Sequence, residues 1–162
     1  MNELEGILKI RFDSIEKRIE LVLNQLDNQQ VNWRPNESSN SIANLIVHMS
    51  GNINERIGKG MNEKPYFRNR DEEFGEQFKT KDELIEMILI SLHEVKDTLM
   101  AMSEKRFSDT KIPDNRDLTN LEIFIQTATH ISEHTGQIFY IAKMLKDEDY
   151  VTTIVPKQKP KL

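Results

Sequence analysis

The chain has 162 residues, a net charge of −5 and no cysteine. That length suits one domain with a sizeable core. The missing cysteines exclude disulfides, thiolate metal sites and a cysteine nucleophile, and agree with a reducing cytoplasm.

Acidic and basic residues alternate along the chain, leaving no basic footprint for nucleic acid. No apolar run approaches the ~18 residues of a membrane span. The start, Met1-Asn2-Glu3-Leu4-Glu5, is acidic and amphipathic rather than a signal peptide. The expectation is a cytoplasmic protein.

Leu4, Ile7, Leu8, Ile15, Ile19, Val22 and Leu26 recur at helical spacing. They predict a first amphipathic helix over about Asn2–Leu26, ending in the polar run Asp27–Gln30. Trp33, the only tryptophan, stands just ahead of Arg34-Pro35 in an extended turn, where it is expected to plug one end of the helices. Asn40 or Ser41 can cap a second helix reaching about Gly58. Its stripe is Ile42, Leu45, Ile46, Met49, Ile53 and Ile57, with His48 and Asn52 on the flank. Gly51 inside this helix costs about 1 kcal/mol relative to alanine, which a close approach by another group would explain.

A long connection, Gly58–Lys79, is charged yet carries Tyr66, Phe67, Phe74 and Phe78. A loop so aromatic is expected to lie against the helices. Thr80 and Glu83 form a capping box for a third helix, whose core face is Leu84, Ile85, Ile88, Leu92, Val95, Leu99 and Met102. His93 lies off that stripe and reads as a surface residue. Ser103–Asp117 is a polar turn with Pro113. Thr119 and Glu122 cap a fourth helix, with Leu121, Phe124, Ala128, Ile131, Phe139 and Ala142 as its stripe. Asp147–Leu162 should be a loosely docked tail, with Val151–Val155 the only β-prone run. These elements predict an all-α fold: a four-helix bundle in residues 1–146 and a tail in residues 147–162. The long connection between helices 2 and 3 allows those two helices to run parallel.

His130 and His134 are two of the four histidines. Spaced i, i+4 on helix 4, they share one face, with Cβ atoms about 5–6 Å apart. His48 has a comparable flank position on helix 2. Three imidazoles leave a coordination position open, as at a catalytic rather than a structural zinc site, and would also suit nickel, cobalt or iron. A water bound there would have its pKa lowered toward ~7. Gln126, Gln137 and Asn52 lie on the histidine faces and are candidates to buttress the ligands or touch substrate. Glu133 is offset from both histidines around the helix and is expected to face solvent.

Asn40-Ser41-Ile42-Ala43-Asn44-Leu45-Ile46-Val47-His48, followed by His130-Ile131-Ser132-Glu133-His134-Thr135-Gly136-Gln137-Ile138, resembles the DinB superfamily, also called DinB/YfiT-like. Trp33-Arg34-Pro35, the helix count and the long connection fit the same pattern, over roughly residues 1–146. Within it the chain is similar to a poorly characterised branch with N-S-I-A-N-L and G-N-I-N-E-R. The resemblance implies a four-helix bundle of non-up-down connectivity, often a homodimer. It also implies a divalent metal ion, zinc or nickel most often, on His48, His130 and His134. Some members are thiol-dependent S-transferases using bacillithiol, mycothiol or glutathione; others are described as metal-dependent hydrolases or isomerases.

The leading expectation is thus a metal-dependent enzyme acting on a small-molecule substrate, a thiol S-transferase or related hydrolase. With no cysteine in the chain, any thiol must come from a low-molecular-weight cosubstrate. The alternative is a non-catalytic, stress-related bundle that binds a metal or small molecule. An open coordination position beside a concave pocket separates the first from the second; a fourth protein ligand would favour the second.

Overall fold

The computed structural model describes residues 3–76, 78–111 and 117–154. The chain is mostly helical. In order the elements are α1 (Glu3–Leu23), α2 (Asn28–Asn32), α3 (Ile42–Ile53), a π-helical turn (Asn54–Lys59), α4 (Gly60–Asn62), α5 (Arg70–Phe74), α6 (Lys81–Ala101), α7 (Glu104–Phe107), strands β1 (Thr110–Lys111) and β2 (Leu118–Thr119), α8 (Asn120–Lys146) and a 3-10 turn (Asp147–Asp149). No helix among the described residues is long and apolar enough to cross a membrane.

Helix starts follow local chemistry. Ser41, Thr80 and Thr119 each accept from the backbone N–H three residues on, and Asn44, Glu83 and Glu122 reach back to the cap. Each reciprocal pair satisfies two donors that a helix start otherwise leaves open. A fourth box, Asp27 with Gln30, creates α2 inside the run expected to be a polar terminus. The first long helix therefore stops at Leu23, short of the expected Leu26. The second runs past Gly58 to Asn62 because the π-helical turn carries it on.

The apolar stripes converge on one core, in which Phe12, Ile19, Leu23, Ile46, Met49, Leu84 and Phe124 are fully buried. Two expected members of the first stripe, Leu4 and Ile7, face outward, as does Ile10 at 70% exposure. Phe12 takes the interior position instead. Trp33 remains 38% exposed and is a partial rather than a complete plug. In the long connection Tyr66 and Phe74 pack inward, whereas Phe67 and Phe78 stay exposed.

Cross-contacts fix the helix directions. Lys96 donates to Asp13 and Glu16 of α1, and Asn28, just past α1, accepts from the N–H of Lys81 at the start of α6. Helices α1 and α6 are therefore antiparallel. Arg11 meets Ser132, and Arg18 lies over the Phe139 ring, so α1 and α8 are parallel. His48 meets His130, while Arg56 meets Gln126, so α3 and α8 are antiparallel. Asn32, ahead of α3, exchanges hydrogen bonds with Lys79, ahead of α6. Asn62 at the far end donates to Glu94 and Thr98. Helices α3 and α6 are thus parallel, as the long connection allows.

The directions run up, down, down, up in chain order. Round the core the order is α1, α6, α3, α8, with α3 packed against both α6 and α8.

Two short pieces depart from expectation. The polar turn after α6 contains α7 and an antiparallel pairing of Thr110 with Thr119 and Lys111 with Leu118; Pro113 lies outside the described residues. The start of the tail is held rather than loose: Gln25 exchanges two hydrogen bonds with the Val151 backbone, and Arg18 reaches Thr153. Residues 151–154 form no strand, and Val155 onward lies outside the described residues.

Two helical glycines make opposite cases. A Cβ on Gly51 would collide with the Glu73 carboxylate, whereas one on Gly136 would meet nothing within 4 Å. Gly51→Ala should destabilise the protein by about 1–3 kcal/mol through overpacking. Gly136→Ala should stabilise it by about 0.5–1 kcal/mol, the ordinary helix preference for alanine. Urea unfolding midpoints of both variants check the contrast, and equal shifts of one sign would refute it.

Candidate metal centre

His48 comes from the middle of α3, and His130 and His134 from consecutive turns of α8. The antiparallel packing of these helices turns all three Nε2 atoms toward one point. His130 Nε2 lies 3.0 Å from His48 Nε2 and 3.0 Å from His134 Nε2. One donor atom from each residue falls within 4.8 Å of the others, close enough for the three to hold one metal ion. His48 is buried; His130 and His134 are half-buried.

The outer nitrogens decide whether the lone pairs face inward. His48 Nδ1 is 2.8 Å from Glu73 Oε2. A carboxylate only accepts, so Nδ1 carries the proton and Nε2 presents its lone pair. His134 Nδ1 is likewise 2.8 Å from Gln137 Oε1, with the same consequence. His130 Nδ1 is buried without a partner among the described residues.

Metal–nitrogen bonds of about 2.0–2.1 Å, at angles between a right angle and tetrahedral, place ligand nitrogens about 2.9–3.4 Å apart. The two 3.0 Å separations from His130 fit that range. Among the described residues no fourth histidine, aspartate or glutamate joins the cluster.

Glu73 is the part of the site that sequence reasoning missed. It sits on α5, inside the long connection, and is buried. Arg68 grips it with two hydrogen bonds, Nε to Oε1 at 2.6 Å and Nη2 to Oε2 at 2.8 Å. Burial would raise the Glu73 pKa, but the bonds from Arg68 and His48 outweigh it and hold the carboxylate below its usual range. Asn44 anchors the same segment by donating to the carbonyls of Glu73 and Gly75. The Phe74 ring packs on His48, with centroids 4.9 Å apart. The one signal in the sequence was Gly51, whose missing side chain makes room for Glu73.

The remaining candidates divide. Gln137 supports His134 directly. Gln126 accepts from Arg56 at 2.9 Å, not from a histidine. Asn52, half-buried one turn after His48, bonds none of the three histidines. His93 is on α6, largely exposed beside Glu16 at 3.5 Å, as expected of a surface residue. Glu133 faces solvent, also as expected.

Gln137 also lines a cleft of about 580 Å³, to which none of the three histidines contributes. Leu45, Gly136, Tyr140, Ile141 and Met144 give it a mainly apolar lining, with Glu133 at its edge.

Residues 3–159 match a family described as Protein of unknown function (DUF1572). The chain is also similar to a solved structure, "Crystal structure of the conserved protein of locus from Enterococcus faecalis". The two share 17% identity at a TM-score of 0.75, over 89% of this chain and 98% of that one. At that identity the likeness concerns the fold alone. No curated protein matches the chain.

Electrostatics yield a pH prediction. Burial lowers the His130 pKa to about 4, aided by neighbouring His134, His48, Arg56 and Arg68. Burial also lowers that of His48, against the hydrogen bond it donates to Glu73. Between pH 6.5 and about 4 the unfolded chain therefore takes up a proton that the folded His130 refuses. Stability from this group is present above pH 6.5 and is lost as pH falls through that window. Urea midpoints of metal-free protein should drop more steeply from pH 7 to pH 4 than those of His130→Asn. Parallel curves would refute the assignment.

Proposed function

The chain belongs to the DUF1572 family of proteins of unknown function, and from its three converging imidazoles we propose that it is a divalent-metal-dependent enzyme acting on a small molecule. The proposed ligands are His48, His130 and His134, with zinc or nickel as the ion. Its four packed long helices support reading the fold as a DinB/YfiT-type four-helix bundle. The observation that carries the reading is the pairing of His48 Nδ1 with Glu73 and His134 Nδ1 with Gln137, which leaves two Nε2 lone pairs directed at the third ring. Histidines destined for solvent or core packing do not require buttressing of this kind; metal ligands do.

Among the described residues no fourth histidine or carboxylate joins the three neutral ligands, which leaves room for an exogenous group; Gln137, the support of His134, also lines a concave cleft. When bound, the ion would act as a Lewis acid and lower the pKa of a water or thiol. Thiol S-transfer is the first of the two chemistries and hydrolysis the second; Glu73 serves neither as a base, because Arg68 and His48 occupy it on the far side of the ring. In S-transfer a low-molecular-weight thiol loses its proton to solvent, a C–S bond forms, and a leaving group departs from the electrophilic carbon. No protein base is needed at neutral pH once the thiol pKa is depressed.

Metal analysis of untagged protein tests the assignment. The parent should carry about one ion per chain, lost in His48→Ala and in His134→Ala and kept in His93→Ala. Equal loss in His93→Ala would overturn the ligand set. Glu73→Gln should weaken zinc affinity by about 10–100-fold, measured by competition with a chromophoric chelator. Screening bacillithiol, mycothiol and glutathione against an aryl halide with metal-loaded protein then tests the chemistry. Turnover that depends on thiol and is lost in His134→Ala is the expected result; no turnover with any thiol sinks the transferase reading.

A further inference from the structure

Beyond the triad, the neighbouring charges point to what the site takes. Two arginines lie close enough to His130 for their charge to lower its pKa, Arg56 and Arg68. They differ in their partners. Arg68 is neutralised by its two-bond grip on Glu73. Arg56 is half-buried, and its one hydrogen bond among the described residues runs to a neutral amide, Nη1 to Gln126 Oε1 at 2.9 Å. Gln126 lies four residues before His130, on the same face of α8, so this bond sets the guanidinium one helical turn from the triad.

The backbone puts it there. In an unbroken α-helix Arg56, eight residues after His48, would point about 80° away from it. Residues 54–59 instead form a π-helical turn, which is wider and winds Arg56 back toward the face of His48. Such turns are rare and occur often at functional sites. A half-buried guanidinium with no carboxylate partner is costly to keep unless something else completes it.

We propose that Arg56 anchors an oxyanion, the carboxylate or phosphate group of the small molecule the three-histidine site takes. The inference deepens the functional reading and rests on it. A divalent ion held by three neutral imidazoles keeps its full charge, and Arg56 adds another, while the Arg68–Glu73 pair contributes none and Glu55, whose charge reaches Arg68, is itself paired with Lys59. An anionic ligand is the complement of that sum. Gln126 occupies one edge of the guanidinium, and its planar fork leaves further N–H donors for the two-pronged recognition suited to carboxylate and phosphate. Arg56 is thus a specificity residue rather than a catalytic one.

The test titrates benzoate, phenyl phosphate and neutral benzamide into the protein by calorimetry, with and without zinc. The parent should bind both anions and discriminate against benzamide. Arg56→Gln should lose at least about tenfold in anion affinity, the scale of one charge-assisted hydrogen-bonded pair, with zinc bound no more weakly than in the parent. Arg56→Lys should keep more of the phenyl phosphate binding than of the benzoate binding, because lysine binds phosphate as a point charge but lacks the fork. Lys59→Gln, the same charge change on the exposed end of the π-helical turn, should leave both anions bound as in the parent.

Unchanged anion binding in Arg56→Gln, an equal drop in Lys59→Gln, or a parent indifferent to charge would each overturn the proposal. Failure of the parent to bind zinc would instead overturn the functional reading, and the zinc-free titrations would still decide the role of Arg56.

Discussion

Three imidazole rings facing one another inside a packed helical protein are tolerable only while they stay uncharged and correctly oriented. The hydrogen bond from His48 to Glu73, itself clamped by Arg68, meets the second requirement for the most buried of the three. It sets the tautomer of His48, and the Phe74 ring packed beside it limits ring rotation. Arg68 keeps Glu73 ionised, so the carboxylate accepts a hydrogen bond from the ring without competing for the inward face. For His48 and His130 neutrality comes from burial, which disfavours an imidazolium, and from the repulsion that protonated neighbours would suffer.

The connectivity follows from the same need. The two histidine helices, α3 and α8, must lie side by side, and they do so antiparallel. Helices α3 and α6 are also neighbours but run parallel, which obliges the chain to travel the length of the molecule between them. Residues 63–80 make that crossing, and the crossing delivers Arg68 and Glu73 to the outer edge of His48. The absent side chain of Gly51 then makes sense. The α3 backbone surrenders helix preference at that position so that a carboxylate can lie against it. A bulkier residue at 51 would push Glu73 from the ring.

Features set within a few residues of each other were legible in the sequence. The boxes at Thr80 and Thr119, the Ser41 cap, the interior stripes of α3 and α6, and the i, i+4 pair in α8 follow from periodicity and hydrogen-bond chemistry. The pairing of His48 with the other two rested on flank position and family resemblance. Glu73 and Arg68 were not legible. Their place depends on how an irregular segment settles on finished helices, and E-E-F within a charged run looks like any solvated turn. Asp27–Gln30 carries a capping box as readable as the others, but directly after a helix end the same residues look like a polar terminus. The outward turn of Ile7 and Ile10 reflects the choice of Phe12 as the interior residue, a matter of volume that spacing does not express. The π-helical turn was hidden because a regular pitch was assumed through residue 58.

The site is asymmetric in what surrounds its histidines. On the α3 side His48 is buried beneath Glu73, Arg68 and Phe74, so no molecule reaches the triad there without displacing a charged pair. On the α8 side both histidines are half-buried, and the buttress of His134 is a single neutral amide, Gln137, which also borders the cleft. Gly136, beside it, leaves the floor of that cleft bare although no packing contact demands a glycine. The carboxylate therefore supports the ring that is closed in, and the amide supports the ring that is accessible. Glu133, exposed on α8, adds a carboxylate to that cleft lining. The charged pair thus stands behind the closed-in ring on α3, and the neutral amide behind the more accessible ring on α8.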